Sequence, residues 1–251
     1  MYWINYSHGM ELDPINSQHE KRHNENGILF LVEYFIIKYL KNELTEIDVG
    51  IFNTITQNIQ SYSGEGVQFH GLYDRGEGES LPSHEWYVTP DKRRDISHDN
   101  LTAIAVFSNF FKLPYAKHIQ KHAIKWQFRF DNCYPENPRW IQCGKWHPRD
   151  WFFYLYCGDG FWKLFSYPLF PIYFGACIVS ACTKKSNTSG KLLWFVRLAL
   201  LKEKSLLHRF TWFFYKRLLK KKYGDNWLSE LASIYMGKDH PIYELSKDLK
   251  L

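Results

Sequence analysis

Long apolar segments with few polar interruptions dominate the pattern of hydrophobic and polar positions in this chain. Residues 28–40, ILFLVEYFIIKYL, are too apolar on all sides for an exposed helix and too long for a typical strand, so they predict a buried helix. A second helix is predicted to follow Thr45 in TEIDVGIFNTITQNIQSY and to end at Gly64 and Gly66. Together the two segments predict a helical hairpin.

The same pattern continues through the rest of the chain. RRDISHDNLTAIAVFSNFFKL predicts a helix that Pro114 interrupts, and YAKHIQKHAIKWQFRF predicts the next one. In HPRDWFFYLYCGDG, Pro148 suits a first helical position and Asp150 lies in the first turn. Three later helices are predicted in TSGKLLWFVRLALL, KSLLHRFTWFFYKRLLKKKYG and NWLSELASIYMG. We therefore expect a single mainly α domain over residues 1–251, with helical hairpins packed as an incomplete α/α toroid.

Two regions depart from this helical pattern. Residues 61–95 are rich in glycine and have no sustained periodicity, which indicates a long loop of the kind that often carries function. Residues 164–183, LFSYPLFPIYFGACIVSACT, carry no charge and barely reach the roughly 20 residues that cross a bilayer. Pro168, Pro171 and Gly175 weaken a membrane-spanning interpretation and leave a buried helix as the alternative.

The net charge of +6 is distributed unevenly. Lys184–Lys222 contains twelve Lys or Arg and a single acid, Glu203, so this region carries +11 and the rest of the chain −5. Four apolar residues recur there at helical spacing: Leu207, Phe210, Phe214 and Leu218. Such a helix favours either contact of residues 164–222 with an anionic membrane surface or core packing with a solvated basic side. Nucleic acid is a less favoured partner because no recognition motif accompanies the charge.

Cysteine usage and the amino end bear on the compartment. The five cysteines are an odd number and form no C-x-x-C pair, which indicates a reducing compartment. The segment MYWINYSHGMELDP lacks a basic stretch followed by an apolar run, so it does not predict a signal peptide. We expect the protein in the cytoplasm or associated with a membrane.

A five-residue segment, HEKRH at residues 19–23, matches the H-E-x-x-H pattern of zinc proteases. Lys21 and Arg22 would flank the ion, no apolar stripe is present to bury the helix, and Leu29 occupies the position of a third histidine. We therefore expect a solvated capping turn and no metal there. The sequence contains no P-loop, dinucleotide glycine pattern or serine elbow, and it predicts no cofactor.

Clusters of polar residues at the starts of apolar helices carry the candidate chemistry: residues 23–26, 98–100 and 147–150. Capping explains one or two such residues per helix. In a toroid these starts would meet at one rim, where paired carboxylates could act as acid and base on a glycosidic bond. The catalytic candidates are Asp99 and Glu25, with His98 as a proton carrier. Candidates for substrate binding are the acids Asp13 and Asp150, the arginines Arg75, Arg94 and Arg149, and the stacking residues Tyr73 and Trp86. The predicted function is a carbohydrate-active enzyme, a glycoside hydrolase or polysaccharide lyase, whose partner is a polysaccharide.

Four segments together resemble a family of environmental bacteriophage proteins to which no activity is assigned: ELDPINSQHEKRHNENGILFLVEY, RRDISHDNLTAIAVFS, HPRD and TSGKLLWFVRL. The resemblance covers nearly the whole chain. It implies a viral source and a place in the host cytoplasm or at its membrane, and it supplies no catalytic residues. The alternative to an enzyme is therefore a non-enzymatic phage protein that is virion-structural or membrane-associated.

Overall fold

The computed structural model describes residues 27–58, 60–63, 66–69, 79–81, 86–88, 98–125, 148–184 and 188–251. Over these residues the chain is mainly helical, which confirms the predicted class. The α-helices are α1 (Gly27–Leu40), α2 (Glu46–Asn58), α3 (His98–Phe110), α4 (Tyr115–Lys125), α5 (Pro148–Cys157), α6 (Phe170–Cys182), α7 (Thr188–Ala199), α8 (Leu206–Tyr223), α9 (Trp227–Met236) and α10 (Pro241–Ser246). Two 3₁₀ helices, Phe161–Leu169 and Leu201–Glu203, precede α6 and α8.

Burial alternates along the chain from helix to helix. Helices α1, α3, α5 and α7 are buried on nearly all sides, whereas α2, α4 and α8 bury one side and expose the other. Helix α3 is central because it packs against α1, α4, α5 and α7. The rings of Phe35 in α1 and Phe107 in α3 lie 5.9 Å apart between centroids. The apolar runs without a polar stripe form the inner helices, as expected for segments hydrophobic all round.

The turn between α1 and α2 is fixed by reciprocal capping. The Thr45 amide donates to Asp48 Oδ2 over 2.8 Å, and the Asp48 amide donates back to Thr45 Oγ1 over 3.3 Å. Lys38 in the last turn of α1 also reaches Asp48, with Nζ 2.6 Å from Oδ2. The predicted helix start after Thr45 is thus confirmed, and the ion pair ties the two helices together.

Side chains of neighbouring helices also satisfy backbone groups at helix ends. The Leu29 amide, in the first turn of α1, donates to Asn100 Oδ1 of α3 over 2.9 Å. At the opposite end of α3, Asn109 Nδ2 donates to the carbonyl of Cys157 over 2.7 Å, and Gln120 Nε2 of α4 donates to that of Leu155 over 3.0 Å. These bonds fix the register of the helices. The bond between Leu29 and Asn100 also holds the first turns of α1 and α3 side by side.

Three features differ from the sequence-based expectation. Helix α2 ends at Asn58, ahead of the predicted glycines, because the chain turns into a strand at residue 60. Two antiparallel hairpins then follow, β1 (Gln60–Ser63) with β2 (Gly66–Phe69) and β3 (Glu79–Leu81) with β4 (Trp86–Val88). Strands of three or four residues are too short to produce a recognisable alternation in the sequence. The short helix α10 was also missed, because six residues hold less than two helical turns.

Candidate active site

A cavity of about 400 Å³ lies where the first turns of α1, α3 and α7 meet. Helix α1 contributes Leu29 and Phe30, α3 contributes Asp99, and α7 contributes Ser189 and Gly190. Further lining residues come from later in α7, from α6 and from α9: Leu193, Trp194, Ala176, Val179, Ser180, Thr183 and Tyr235. The bond from Leu29 to Asn100 described above joins the starts of α1 and α3.

Asp99 is the carboxylate of this cavity, and it shares a buried arginine with a second acid. Arg197 of α7 is fully buried, and its Nη2 donates to Asp150 Oδ1 over 2.6 Å. The same Nη2 lies 3.6 Å from Asp99 Oδ1, and it donates to Thr102 Oγ1 over 3.2 Å. Asp150 is as buried as the arginine, whereas the Asp99 side chain is 39% exposed. One guanidinium therefore holds an inaccessible carboxylate and an accessible one at the starts of α5 and α3.

Aromatic rings enclose the arginine. The guanidinium carbon of Arg197 lies 4.9 Å from the ring centroid of Phe153 and 5.2 Å from that of Trp194. Rings at this distance attract a cation through their negative faces and exclude water from it. Trp194 also lines the cavity. The arginine is therefore fixed behind the cavity wall, from which it can orient Asp99.

Hydroxyl groups from two helices supply the other polar lining. Thr183 and Ser180 come from the carboxyl end of α6, and Ser189 comes from the first turn of α7. The Ser180 hydroxyl is buried and has no hydrogen-bond partner among the described residues. Lys191 Nζ donates to the Lys184 carbonyl over 3.0 Å and to Thr183 Oγ1 over 3.3 Å, which closes the end of α6 beside the cavity. The wall thus offers hydroxyls and a carboxylate to a polar ligand.

The structure describes the side chains of two of the residues predicted to form the site. Asp99 lines the cavity, but Asp150 is buried against Arg197, so the predicted substrate-binding role of Asp150 is wrong: its carboxylate can position the arginine and cannot reach a substrate. His98 and Arg149 belong to the first turns of α3 and α5, and Trp86 belongs to β4; their side chains lie outside the described part of the chain. Five further candidates also lie outside the described residues: Asp13, Glu25, Tyr73, Arg75 and Arg94.

Sequence reasoning placed Asn100 in a polar cluster at a helix start, but it missed Arg197 and Thr102 as residues that build the site. Arg197 stands alone in the apolar run LLWFVRLALL, and a single charge in a buried helix requires a buried partner. That signal was present in the sequence. The partnership of Asn100 with Leu29 spans 71 positions, and no local pattern indicates it.

Glu33 and His208 are buried ionisable groups that do not line the cavity. Burial raises the pKa of Glu33 in α1 from 4.5 to about 8, and neither of its oxygens has a hydrogen-bond partner among the described residues. Burial and the nearby charge of Lys163 lower the pKa of His208 in α8 from 6.5 to about 3. His208 Nδ1 lies 2.7 Å from Ser205 Oγ, so this histidine belongs to the helix cap. Among the described residues, no three His, Cys, Asp or Glu side chains are grouped to hold a metal ion.

Comparison of the chain with protein-family models, with curated proteins and with solved structures found no match.

Proposed function

We propose that this protein is a carbohydrate-active enzyme, of the glycoside hydrolase or polysaccharide lyase type, that acts at the cavity. The observation that carries the proposal is a partly exposed carboxylate, Asp99, in a cavity where three helix starts meet. Free backbone amides and polar side chains are concentrated at such starts. The arrangement supports the convergence of helix starts expected from the sequence.

The size and lining of the cavity suit a sugar unit. Its volume of about 400 Å³ falls within the range of roughly 300 to 1,000 Å³ that is usual for small-molecule sites. The ring of Tyr235 offers apolar surface, and the hydroxyls of Ser180 and Ser189 offer hydrogen bonds. The Thr183 hydroxyl is already engaged, since it donates to the Ser180 carbonyl over 2.7 Å and accepts from Lys191. A sugar ring presents the same combination of apolar faces and hydroxyl edges.

Acid and base chemistry on a glycosidic bond requires a second functional group beside Asp99. Asp150 is unsuitable because Arg197 and complete burial remove it from the substrate. We assign the second role to Glu25, which precedes α1 by two residues, with Asp13 in reserve. A carboxyl separation of about 5 to 5.5 Å would imply retention of configuration, and roughly 6.5 to 9.5 Å would imply inversion.

The remaining predicted residues have roles around this pair. His98 would carry a proton near neutral pH, and the arginines Arg75, Arg94 and Arg149 would orient an anionic sugar. Tyr73 and Trp86 would stack on neighbouring sugar units. The alternating burial of the helices supports an incomplete α/α toroid with α1, α3, α5 and α7 as its inner layer.

A panel of bacterial surface polysaccharides tests the proposal. We expect the intact protein to release reducing ends, or products with a new carbon–carbon double bond, from at least one of them. Asp99→Asn should lower that turnover by about 10²- to 10⁴-fold, the usual contribution of general acid or base catalysis. Asp225→Asn is the matched control, since this exposed acid lies between α8 and α9 and pairs with Lys220. Wild-type turnover by Asp99→Asn would refute the assignment, and no product from any polysaccharide would refute the function.

A further inference from the structure

The 3₁₀ helix Phe161–Leu169 exposes two apolar rows of side chains. A 3₁₀ helix has three residues per turn, so every third residue lies on the same side. The row that contains Lys163 and the buried Ser166 faces the protein. The other two rows consist of aromatic residues, leucine and proline, and in them Phe161 is 66% and Leu164 59% exposed. A contiguous surface of exposed apolar side chains such as this one usually marks a binding site.

Helix α8 extends this apolar surface. Its buried row contains His208, Trp212, Tyr215 and Leu219. Of the predicted apolar line, Phe210 and Phe214 are exposed, whereas Leu207 and Leu218 are half-buried and Leu218 packs against the core. Three large apolar residues in the first half of α8 are more than half exposed: Leu206, Phe210 and Phe213.

Helix α6 joins the two exposed regions. The ring centroid of Phe174 lies 5.6 Å from that of Phe210 and 6.1 Å from that of Phe214, so α6 and the first half of α8 pack side by side. Ile172 of α6 is also 49% exposed. We call the exposed apolar side chains of residues 161–172 and 206–214 the aromatic face.

Positive charge adjoins the aromatic face. The exposed side of α8 carries Arg209 among its apolar residues in the first half, and Arg217 and Lys221 in the second half. The sequence contains no acidic residue from Phe161 to Lys202. Lys220 of α8 is paired with Asp225, whereas Arg217 and Lys221 extend the positive charge beside the apolar surface. An apolar surface bordered by cations is typical of proteins that lie on anionic lipid.

We propose that the aromatic face docks on the surface of an anionic membrane, with its aromatic side chains in the lipid interface and the α8 cations among the headgroups. Stretch Phe161–Cys182 is long and apolar enough to cross a bilayer. The opposite side of α6, however, packs into the core, where the rings of Tyr173 and Phe152 lie 4.2 Å apart. Peripheral docking keeps that packing, and this inference does not depend on the proposed enzymatic function.

Lipid fits the surface better than a second copy of the chain or a nucleic acid. A symmetric dimer through the aromatic face would bring Arg217 and Lys221 of both copies to one interface, and the repulsion between these like charges opposes association. Nucleic-acid bases stack on aromatic rings, but the aliphatic side chains of Leu164, Ile172 and Leu206 give no such stacking. All of these side chains can enter a lipid interface.

Flotation of the intact protein with vesicles tests the proposal. We expect binding to phosphatidylcholine vesicles that contain phosphatidylglycerol, and little binding to phosphatidylcholine alone. Leu206→Ser should weaken binding by about tenfold through lost apolar contact. Arg217→Gln and Lys221→Gln should each weaken it by about fivefold, the contribution of one cation near an anionic surface. Ile47→Ser is matched to Leu206→Ser, because Ile47 is an equally exposed aliphatic residue on α2, and it should bind like the wild type.

Four outcomes would overturn the docking proposal. Two concern the intact protein: equal flotation with both kinds of vesicle, and no flotation with either. The third is an equal loss of vesicle binding in Ile47→Ser and Leu206→Ser. The fourth is a dimer that forms without lipid and that Leu206→Ser dissociates in sedimentation equilibrium. Binding of single-stranded DNA with loss in the same variants, in place of vesicle binding, would assign the face to nucleic acid. If the protein releases no product from any polysaccharide but still floats with anionic vesicles, the proposed function fails and the docking proposal stands.

Discussion

The cavity end and the aromatic face of this molecule distribute polar and apolar side chains in opposite ways. At the cavity end, Arg197 and Asp150 are charged and completely buried. On the aromatic face, Phe161 and Phe213 are apolar and largely exposed. Each arrangement departs from the usual partition of side chains between core and surface, and such departures are expected where a protein meets a ligand. The comparison predicts that substitutions at the cavity end should change both the stability and the proposed activity, whereas substitutions on the aromatic face should change only the proposed docking.

The largest expected effect comes from removing the arginine at the cavity end. Arg197→Met would leave the Asp150 carboxylate buried without the guanidinium, which typically costs about 3 to 5 kcal/mol. The exposed Arg209→Met is the matched control and should change the free energy of unfolding by less than about 0.5 kcal/mol. Urea titration measures both. Equal, small changes would mean that the buried ion pair does not hold the cavity end together.

A smaller effect is expected from pH. From pH 6.5 to about 8 the folded protein keeps the proton of Glu33, which the unfolded chain has already lost. The free energy of unfolding therefore falls as pH rises, by about 2 kcal/mol over this range. Below pH 4.5 the unfolded chain binds a proton at His208 that the folded protein excludes, so stability falls as pH falls towards 3. Between these limits the two dependences oppose one another, which predicts a plateau.

Thermal unfolding across this pH range checks the plateau. Glu33→Gln cannot ionise, so it should abolish the alkaline decline and leave the acidic one. Glu230→Gln, on the exposed side of α9, is the control and should decline like the wild type. An alkaline decline that persists unchanged in Glu33→Gln would show that another group causes it.

The smallest expected effect is on the aromatic face. Phe213→Ser removes an exposed side chain, so the free energy of unfolding should change by less than about 0.5 kcal/mol. Phe107→Ala in the core should cost about 3 to 5 kcal/mol by the same urea titration. A loss of several kcal/mol in Phe213→Ser would mean that this ring belongs to the core.

The contrast between the regions also explains what the sequence could predict. Apolar runs such as residues 28–40 identify buried helices because a segment hydrophobic all round has to be enclosed. Polar residues and proline at the starts of apolar segments likewise predicted Asp99 in the first turn of α3 and Pro148 at the first position of α5. Local patterns identified these features because the cause of each lies within one or two helical turns.

Tertiary contacts account for what the sequence did not reveal. The pairing of Arg197 with Asp150 joins residues 47 positions apart, and the capping of Leu29 by Asn100 joins residues still further apart. Phe210 and Phe214 contact Phe174 of α6 but stay partly exposed, while the row with Trp212 and Tyr215 is buried, and spacing alone does not show which row is buried. Which row of side chains on a helix is buried depends on the helices that pack against it.

Hydrogen–deuterium exchange with and without a processed oligosaccharide tests the central claim most directly, because it observes both regions in one experiment. We predict slower exchange on ligand binding in the first turns of α1, α3 and α7, where backbone amides and Asp99 meet at the cavity. Residues 206–214 should exchange at an unchanged rate. Protection of residues 206–214 with no change at the three helix starts would contradict the claim that the cavity end binds the sugar.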